Sequence, residues 1–360
     1  MFSKDIGDLT EREKVVRLFA RRVIFIIAML VVVASLAAFS MTLGAAKISA
    51  ADAYKGLINA LFPDAFDITD RTVRIMVNLR SPRVLMAAAA GASLAMGGAI
   101  TQAILKNSLA TPYTLGVSAG AGFGACLAIL MGVSITAGTI GIITNAFIFS
   151  MIPVAVVIVA SRFRTMSPMA MILCGVAISY IFGASNTLFQ YFGDDASVKS
   201  VVFWTVGDLN NVSLWNLSYV GPVMTAVFIA GMLMAKRINV LGMGDDTAKS
   251  LGVNVERIRM TGLILSCLLT ATVVCFTGTI GFICLLSPQI SKVFVGSDMR
   301  YLLPSSALVG ACLLLIADMG SRMLMSPVML PVGAITALVG GPAFIMLLFS
   351  RRKNMTGIRV

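Results

Sequence analysis

Long apolar blocks separated by short polar segments make up most of this 360-residue chain. The blocks do not alternate apolar and polar residues as a half-buried strand would, and most are close to the roughly 20 residues with which a helix crosses a bilayer. Chain exposed to lipid must satisfy its own backbone hydrogen bonds, so such blocks fold as helices. We predict an all-α polytopic membrane protein with about ten spans, at residues 22–43, 84–105, 112–132, 138–160, 168–190, 215–235, 260–277, 279–294, 303–322 and 330–350.

Composition agrees with a single transmembrane unit. Hydrophobic residues make up 58% of the chain and charged residues 12%, and the mean hydropathy is +0.94. The first apolar block is longer than the about 7–15 residues of a signal-peptide core and follows a basic segment, which favours a retained helix. We therefore expect a basic cytoplasmic N-terminal segment at 1–21, one transmembrane domain at 22–350 and a basic cytoplasmic tail at 351–360.

Basic residues predict the orientation. With ten spans and both termini in the cytoplasm, most of the 28 lysines and arginines fall in cytoplasmic segments, as the positive-inside rule requires. The net charge of +12 is then a sign of topology, and we expect no nucleic-acid partner. The same orientation places the polar segment 242–257 in the cytoplasm.

Segment 242–257 is an island of helix-forming polar residues between two long apolar blocks. Asp245 or Asp246 suits the N-cap of a short helix, Gly252 suits its end, and Asn254 can cap the next helix. A loop with this much local structure in a membrane protein indicates a docking site for a partner.

Catalytic and metal chemistry has little support in the sequence. The chain has no histidine, and its six cysteines all fall within predicted spans without CxxC spacing. A zinc site, a disulfide framework and a histidine base are therefore not expected. No nucleophile and base constellation and no Walker motif occurs, so we expect neither enzymatic activity nor a bound metal or cofactor. The 32 glycines lie largely in the spans and predict a closely packed bundle.

Motifs in a fixed order run from about residue 80 to the C-terminus. The first half contributes Arg-Ser-Pro-Arg at 80–83, Gln102, Lys-Asn-Ser-Leu-Ala-Thr-Pro at 106–112 and Leu-Gly-Val-Ser-Ala-Gly-Ala-Gly at 115–122. The second half contributes Gly-Thr-Ile-Gly-Phe-Ile at 278–283, Gly-Ser-Asp-Met-Arg at 296–300, Asp318 with Arg322, and Leu-Pro-Val-Gly at 330–333. Together they closely resemble the permeases that import iron-siderophore complexes, haem and vitamin B12, the FecCD type of type II ABC importer.

The resemblance implies a permease of about ten helices in the cell membrane, with both termini in the cytoplasm. It would pair with a second permease subunit, identical or different, and with two ABC ATPase subunits that hold ATP and Mg. An extracytoplasmic binding protein would deliver a metal chelate, an iron-siderophore first, with haem or cobalamin as alternatives. The competing class, an ion-gradient-driven secondary transporter, needs acids within its spans, and the predicted spans contain only Asp318.

Three arginines at the outer ends of predicted spans, Arg80, Arg83 and Arg322, match family positions that face acidic groups of the binding protein. Arginine suits this role because its planar fork of donors binds a carboxylate at two points. Snorkelling of helix-end arginines towards the headgroups is the alternative. Asp318, four residues before Arg322, is expected to form a structural ion pair with it across one helical turn.

The island at 242–257 matches the family's coupling segment, which docks on the ATPase. Its contact residues are then Asp245, Asp246, Lys249, Leu251, Gly252 and Arg257. Lys249 and Arg257 would pair with acidic groups of the ATPase, or alternatively form a solvated helix face.

The resemblance also implies a translocation path along the fifth span. Asn186 and Gln190 are the candidate polar liners, and the cytoplasmic gate would lie near 165–168, including Ser167 and Pro168. The alternative for Asn186 and Gln190 is hydrogen bonding to neighbouring helices.

Two positions depart from the family pattern. Gln289 and Met299 stand where many relatives carry histidine, so any role of those histidines is in doubt for this chain.

Overall fold

The computed structural model describes residues 11–44, 48–62, 65–163, 166–325 and 328–355, and every regular element in these ranges is a helix. The predicted all-helical class is confirmed. A π-helical segment (Met76–Arg80) joins the third helix to the fourth, and a 3-10 turn (Tyr113–Leu115) precedes the fifth. In chain order the α-helices are α1 (Glu11–Thr42), α2 (Ala50–Leu61), α3 (Asp70–Ile75), α4 (Ser81–Ile104), α5 (Val117–Leu130), α6 (Gly138–Phe163), α7 (Pro168–Phe192), α8 (Asp195–Val206), α9 (Leu214–Leu241), α10 (Asp245–Ser250), α11 (Val255–Thr277), α12 (Ile283–Val295), α13 (Met299–Met323) and α14 (Val332–Met355).

Each of the ten predicted spans falls on a helix. Within the described ranges, seven helical stretches are long and apolar enough to cross a membrane, and α5, α12 and the apolar part of α14 are shorter. Two predicted starts were wrong. The span from 112 begins at Val117, because the 3-10 turn and Gly116, at φ 96°, interrupt the chain. The span from 279 begins at Ile283, after Phe282 at φ 65°.

Besides α10, which lies in the polar segment 242–257, three helices lie outside the predicted spans because they are short and mixed in composition. Helix α2 is capped by the Ser49 hydroxyl, which accepts from the Asp52 amide, and α8 is capped by Asp194, which accepts from the Ser197 amide. Helix α3 and the π-helical segment run straight into α4. Asp70–Ile104 is therefore one helical stretch of 35 residues, much longer than the predicted span at 84–105.

Helix α4 lies at the centre of the bundle and packs against α9, α11, α12 and α13. Glycine makes these close approaches possible. A Cβ on Gly91 would overlap the carbonyl of Gly310 in α13, and a Cβ on Gly98 would overlap the carbonyl of Cys284 in α12. The helices thus touch backbone to backbone, as small residues allow in a membrane bundle.

We expect Gly98→Ala to destabilise the protein, because the new methyl group would collide with a main-chain carbonyl that cannot turn away. Overpacking of this kind costs typically about 1–3 kcal/mol and more when backbone must shift. The unfolding temperature in detergent measures the loss. Gly221→Ala in α9 is the matched control, since a Cβ there meets nothing within 4 Å; an equal fall in both variants would contradict the contact between α4 and α12.

Candidate functional site

One end of the bundle holds a buried charge cluster around Asp318, called the Asp318 end below. Asp318 is fully buried. Arg83 donates from Nε to its Oδ1 at 2.7 Å, and Nη2 of Arg322 lies 2.8 Å from Oδ2, as a charge contact without hydrogen-bond alignment. The ion pair expected between Asp318 and Arg322 is present. Two guanidinium groups on one carboxylate leave the cluster with a net positive charge.

The remaining donors of these arginines bind groups of the same chain. Arg83 donates to the side chains of Asn210 and Ser321. Arg322 donates to the backbone carbonyls of Ser40 at 3.1 Å and Leu43 at 2.9 Å, which fastens the end of α1 to α13.

Arg80 belongs to the same end and is tied to α1 as well. Its Nη1 donates to the carbonyls of Met41 at 2.9 Å and Thr42 at 3.2 Å. Only 6% of Arg80, 7% of Arg83 and 6% of Arg322 is exposed. In this conformation the three guanidinium groups face inward. Their docking to an acidic partner stays a prediction, and it would require them to leave these carbonyls and Asp318.

Sequence reasoning missed the contact between Arg83 and Asp318, which joins residues 235 positions apart. A signal was available. Asp318 is the lone acid in the predicted spans, and Arg83 directly precedes the span 84–105, at an outer end on the same side as Arg322. A buried carboxylate attracts every arginine within reach, because an unpaired charge is costly in lipid or protein interior.

The opposite end of the bundle, called the Asp245 end below, carries the island at 242–257. The predicted short helix is α10, and Gly252, at φ 77°, follows its last turn. Asn254 caps α11 by accepting from the Arg257 amide at 3.0 Å, as predicted. The predicted cap at Asp245 or Asp246 is wrong. Gly244 holds the N-cap position, because its φ of 126° suits glycine, and it offers no side-chain bond.

The Asp245 carboxylate instead clamps α10 to two other helices. It accepts from Lys106, just after α4, at 2.6 Å and from Arg259 of α11 at 2.9 Å. These bonds, that from Lys106 above all, lower the pKa of Asp245 below its ordinary value, so the clamp is charged at neutral pH. Neither partner of Asp245 was predicted from the sequence, although Lys106 begins the motif at 106–112.

The outer surface of the island is exposed. Asp246 is fully exposed, and Lys249 and Leu251 are about two-thirds and 60% exposed. Arg257 is exposed as well, and Met243 adds a second exposed apolar side chain. The arrangement presents apolar and basic side chains together, which suits a protein partner. Contact of these residues with an ATPase stays a prediction.

Helix α7 buries little of its surface within the chain, and Tyr180 and Tyr191 are about four-fifths exposed. Asn186 lies half-buried beside Gly122 of α5, and within the described part of the chain its Oδ1 has no hydrogen-bond partner. Gln190, one turn later, is half-buried. That oxygen is buried within the chain and so does not face the uncovered side of α7, and a role of Asn186 and Gln190 in lining a path stays a prediction.

The proposed gate is only partly described, since Thr165 lies outside the described residues. Ser167 is exposed and caps α7, with its hydroxyl accepting from the Ala170 amide at 3.2 Å, and Pro168 occupies the first turn. Both positions therefore have a structural role in starting the helix, and their part in gating stays a prediction.

The two departures from the family pattern are both buried. Gln289 donates to Gln102 at 2.7 Å and to the Ser108 carbonyl at 3.1 Å. The Met299 side chain packs in the core, and its amide donates to Asn239 at 2.8 Å. Gln289 thus keeps a polar contact between α4 and α12, whereas Met299 offers no titratable group.

Known proteins resemble this chain over most of its length. The model of the FecCD transport family matches residues 26–350. A protein named as an ABC transporter permease of Methanocaldococcus jannaschii is 44% identical over 295 residues, 78% of this chain and 83% of that protein. The hemin transport system permease HmuU of Yersinia pestis is 36% identical over 290 residues, 80% of this chain and 87% of that protein. A solved structure described as an inward-facing, metal-chelate type ABC transporter matches with a TM-score of 0.79 at 28% identity, over 90% of this chain and 98% of that one.

Proposed function

Because this chain belongs to the FecCD transport family and is the permease of an ABC importer, we propose that it carries a metal chelate into the cytoplasm, with ferric siderophores as the first candidate. The observation that carries the cargo class is the structural match, at a TM-score of 0.79, to a transporter described as metal-chelate type. The similarity to a hemin permease supports the same class, since hemin is itself an iron chelate. Haem and cobalamin are the alternative cargoes.

The Asp245 end faces the cytoplasm in this proposal, as the distribution of lysine and arginine favours. Here the exposed side chains of α10 contact the ATPase. The clamp from Asp245 to Lys106 and Arg259 supports coupling, because it links α10 to α4 and α11. A shift of the ATPase surface would then move two membrane-spanning helices and not a loose loop.

A second permease subunit covers α7. Tyr180, Tyr191 and apolar side chains such as Leu173, Ile181 and Leu188 are exposed on this helix. The helix carries no charged residue, so this surface is neutral along its described length. A wide path between two such helices would hold a bulky chelate without binding it tightly. The absence of fixed charge on α7 suits that task, since strong binding sites slow release.

Uptake in proteoliposomes tests the proposal. The permease is reconstituted with its ATPase and binding protein, and labelled ferric siderophore, hemin and cobalamin are offered separately. We expect ATP-dependent uptake that is largest for the ferric siderophore. Uptake driven by an ion gradient without ATP would contradict the importer mechanism, and a preference for hemin or cobalamin would contradict the cargo.

A further inference from the structure

We propose that α2 lies in the plane of the membrane surface at the Asp318 end and binds the lipid of that leaflet through its exposed apolar side chains. With 12 residues the helix is too short to cross a bilayer, which takes roughly 20. Its partner is the boundary between headgroups and acyl chains. The inference requires a membrane but neither cargo nor ATPase, so it is independent of the proposed function.

Two faces of α2 are apolar, and only one of them is covered by the chain. Ala53 is fully buried, and a Cβ on Gly56 would lie 3.4 Å from the side chain of Met76, so these residues face the bundle. Tyr54 and Ile58 share a second face, because they are four residues apart. They are 39% and 41% exposed. This second face needs a further apolar phase to cover it.

The third face of α2 is polar. Asp52, Lys55 and Asn59 recur at intervals of three and four residues, and Asp52 and Lys55 are exposed. Asn59 donates from its side chain to the Phe66 carbonyl at 2.7 Å and accepts from the Phe66 amide at 2.9 Å. These bonds fold the following segment back onto the helix. A polar face beside an uncovered apolar face is typical of a helix that lies in a membrane interface.

Aromatic side chains extend the uncovered apolar face past the end of the helix. Phe62, at the C-cap, is 67% exposed, and Phe66 is 41% exposed. Aromatic residues are enriched where a membrane protein meets the headgroups. The Lys55 ammonium lies 5.9 Å from the centre of the Phe66 ring. A lysine in this position covers apolar surface with its stem and holds its charge at the level of the lipid phosphates.

A hydrogen bond to α1 indicates the depth of α2. The part of α1 from Val23 to Thr42 carries no charge; its about 20 residues span about 30 Å, the thickness of the hydrocarbon layer. The Tyr54 hydroxyl donates to the Ala38 carbonyl at 2.8 Å, four residues or about 6 Å inside the end of α1. A tyrosine side chain spans a similar distance, so the backbone of α2 lies at the edge of the hydrocarbon layer.

The exposed face of α2 also continues the lipid-facing surface of α1. Phe39, next to Ala38, is more than half exposed, and it lies at the level that Tyr54 reaches. Lipid that covers the end of α1 therefore meets α2 as well. Because Gly56 packs on Thr72 and Met76, a leaflet that holds α2 also supports the helical stretch that leads into α4.

Quenching of tryptophan fluorescence by brominated lipid tests this placement. The two tryptophans of the chain are replaced by Trp204→Phe and Trp215→Phe, and Ile58→Trp is added as the reporter in the complete importer in nanodiscs. The same importer without the reporter supplies the background. Bromine near the carbonyl end of the acyl chains should quench the reporter at least twofold. Bromine near the chain ends, and iodide in the water, should each quench it less.

Lys55→Trp is the matched control, because it places the same reporter on the polar face of the same helix. Iodide should quench this reporter more strongly than lipid bromine does. Both positions are exposed, so neither exchange disturbs packing, and monodisperse elution in detergent checks that both variants fold.

Stronger quenching of the Ile58→Trp reporter by iodide than by lipid would place the face in water and overturn the proposal. Protection from both quenchers would overturn it too, since a protein would then cover the face. Repeating the measurement without the binding protein shows whether that protein or a second permease is the cover. The readout uses neither ATP nor cargo, so a failure of the proposed function would leave it unchanged.

Discussion

Replacing Asp318 with asparagine is expected to cause the largest loss of stability of any single exchange in the bundle. The change leaves Arg83 and Arg322 as buried cations without a counter-ion, although asparagine keeps the size of the side chain. Breaking a buried pair in this way typically costs about 3–5 kcal/mol, and this carboxylate serves two cations at 2.7 and 2.8 Å. The measurement is the fraction of monodisperse protein that survives heating in detergent.

Asp246→Asn is the matched control, because that side chain is fully exposed and its loss should leave stability unchanged. Combining Asp318→Asn with Arg83→Met removes one of the two stranded cations and should restore part of the lost stability. If Asp318→Asn survived heating as well as wild type, the carboxylate would not be the counter-ion that stabilises the two buried arginines.

Asp245→Asn is expected to lower ATP-driven uptake at least tenfold while ATP hydrolysis continues and the binding protein still docks. The neutral amide no longer holds Lys106 and Arg259, so α10 can move with the ATPase without carrying α4 and α11. A tenfold effect corresponds to about 1.4 kcal/mol, well within the range of two charge-assisted bonds. Uptake and hydrolysis are measured on the same proteoliposomes.

Acidification provides a second readout for this clamp. The stability that the charged clamp contributes is fully present above the ordinary pKa of a carboxyl group. It is lost as the pH falls through the lowered pKa of Asp245. Between about pH 6 and pH 8 the Asp245 carboxylate therefore stays ionised, and uptake should not change through loss of the clamp. Asp195→Asn is the control here, because Asp195 is exposed in the first turn of α8 and is not among the predicted ATPase contacts. Normal uptake by Asp245→Asn would contradict the coupling role, and loss of binding-protein docking alone would show that the Asp245 end faces outward.

The sequence predicts the parts of this fold that depend on local pattern. Ten apolar blocks appear as ten helices, because lipid leaves the backbone no other way to satisfy its hydrogen bonds. The end of α10 at Gly252 and the cap at Asn254 are likewise local, since each depends on one residue and its immediate neighbours. The role of Asp245 could not be predicted from local pattern alone. A carboxylate at the start of a helix can cap it or bind a distant cation, and only the fold brings Arg259 within reach.

Contacts between distant segments could not be predicted in the same way. The resemblance selected Arg80, Arg83 and Arg322 as surface residues, but it carried no information on their side-chain direction. Their burial follows from Asp318 and from the carbonyl groups at the end of α1, which sequence spacing does not reveal. The continuation of α4 through the π-helical segment into α3 was also missed, because this part is too polar to look like a span.

Helix α4 connects the charge clusters at the Asp318 end and the Asp245 end of the bundle. Arg83 binds Asp318 near its first residue, and Lys106 binds Asp245 just past its last. Close glycine contacts pack α4 against α12 and α13 between the two clusters, so a displacement of Lys106 acts on the same closely packed helix that carries Arg83. The π-helical segment lies beyond Arg83, at Met76–Arg80. Sharp kinks in helices are common at such segments, so a change of helix direction is expected between α4 and α3, outside the stretch that connects the two charge clusters.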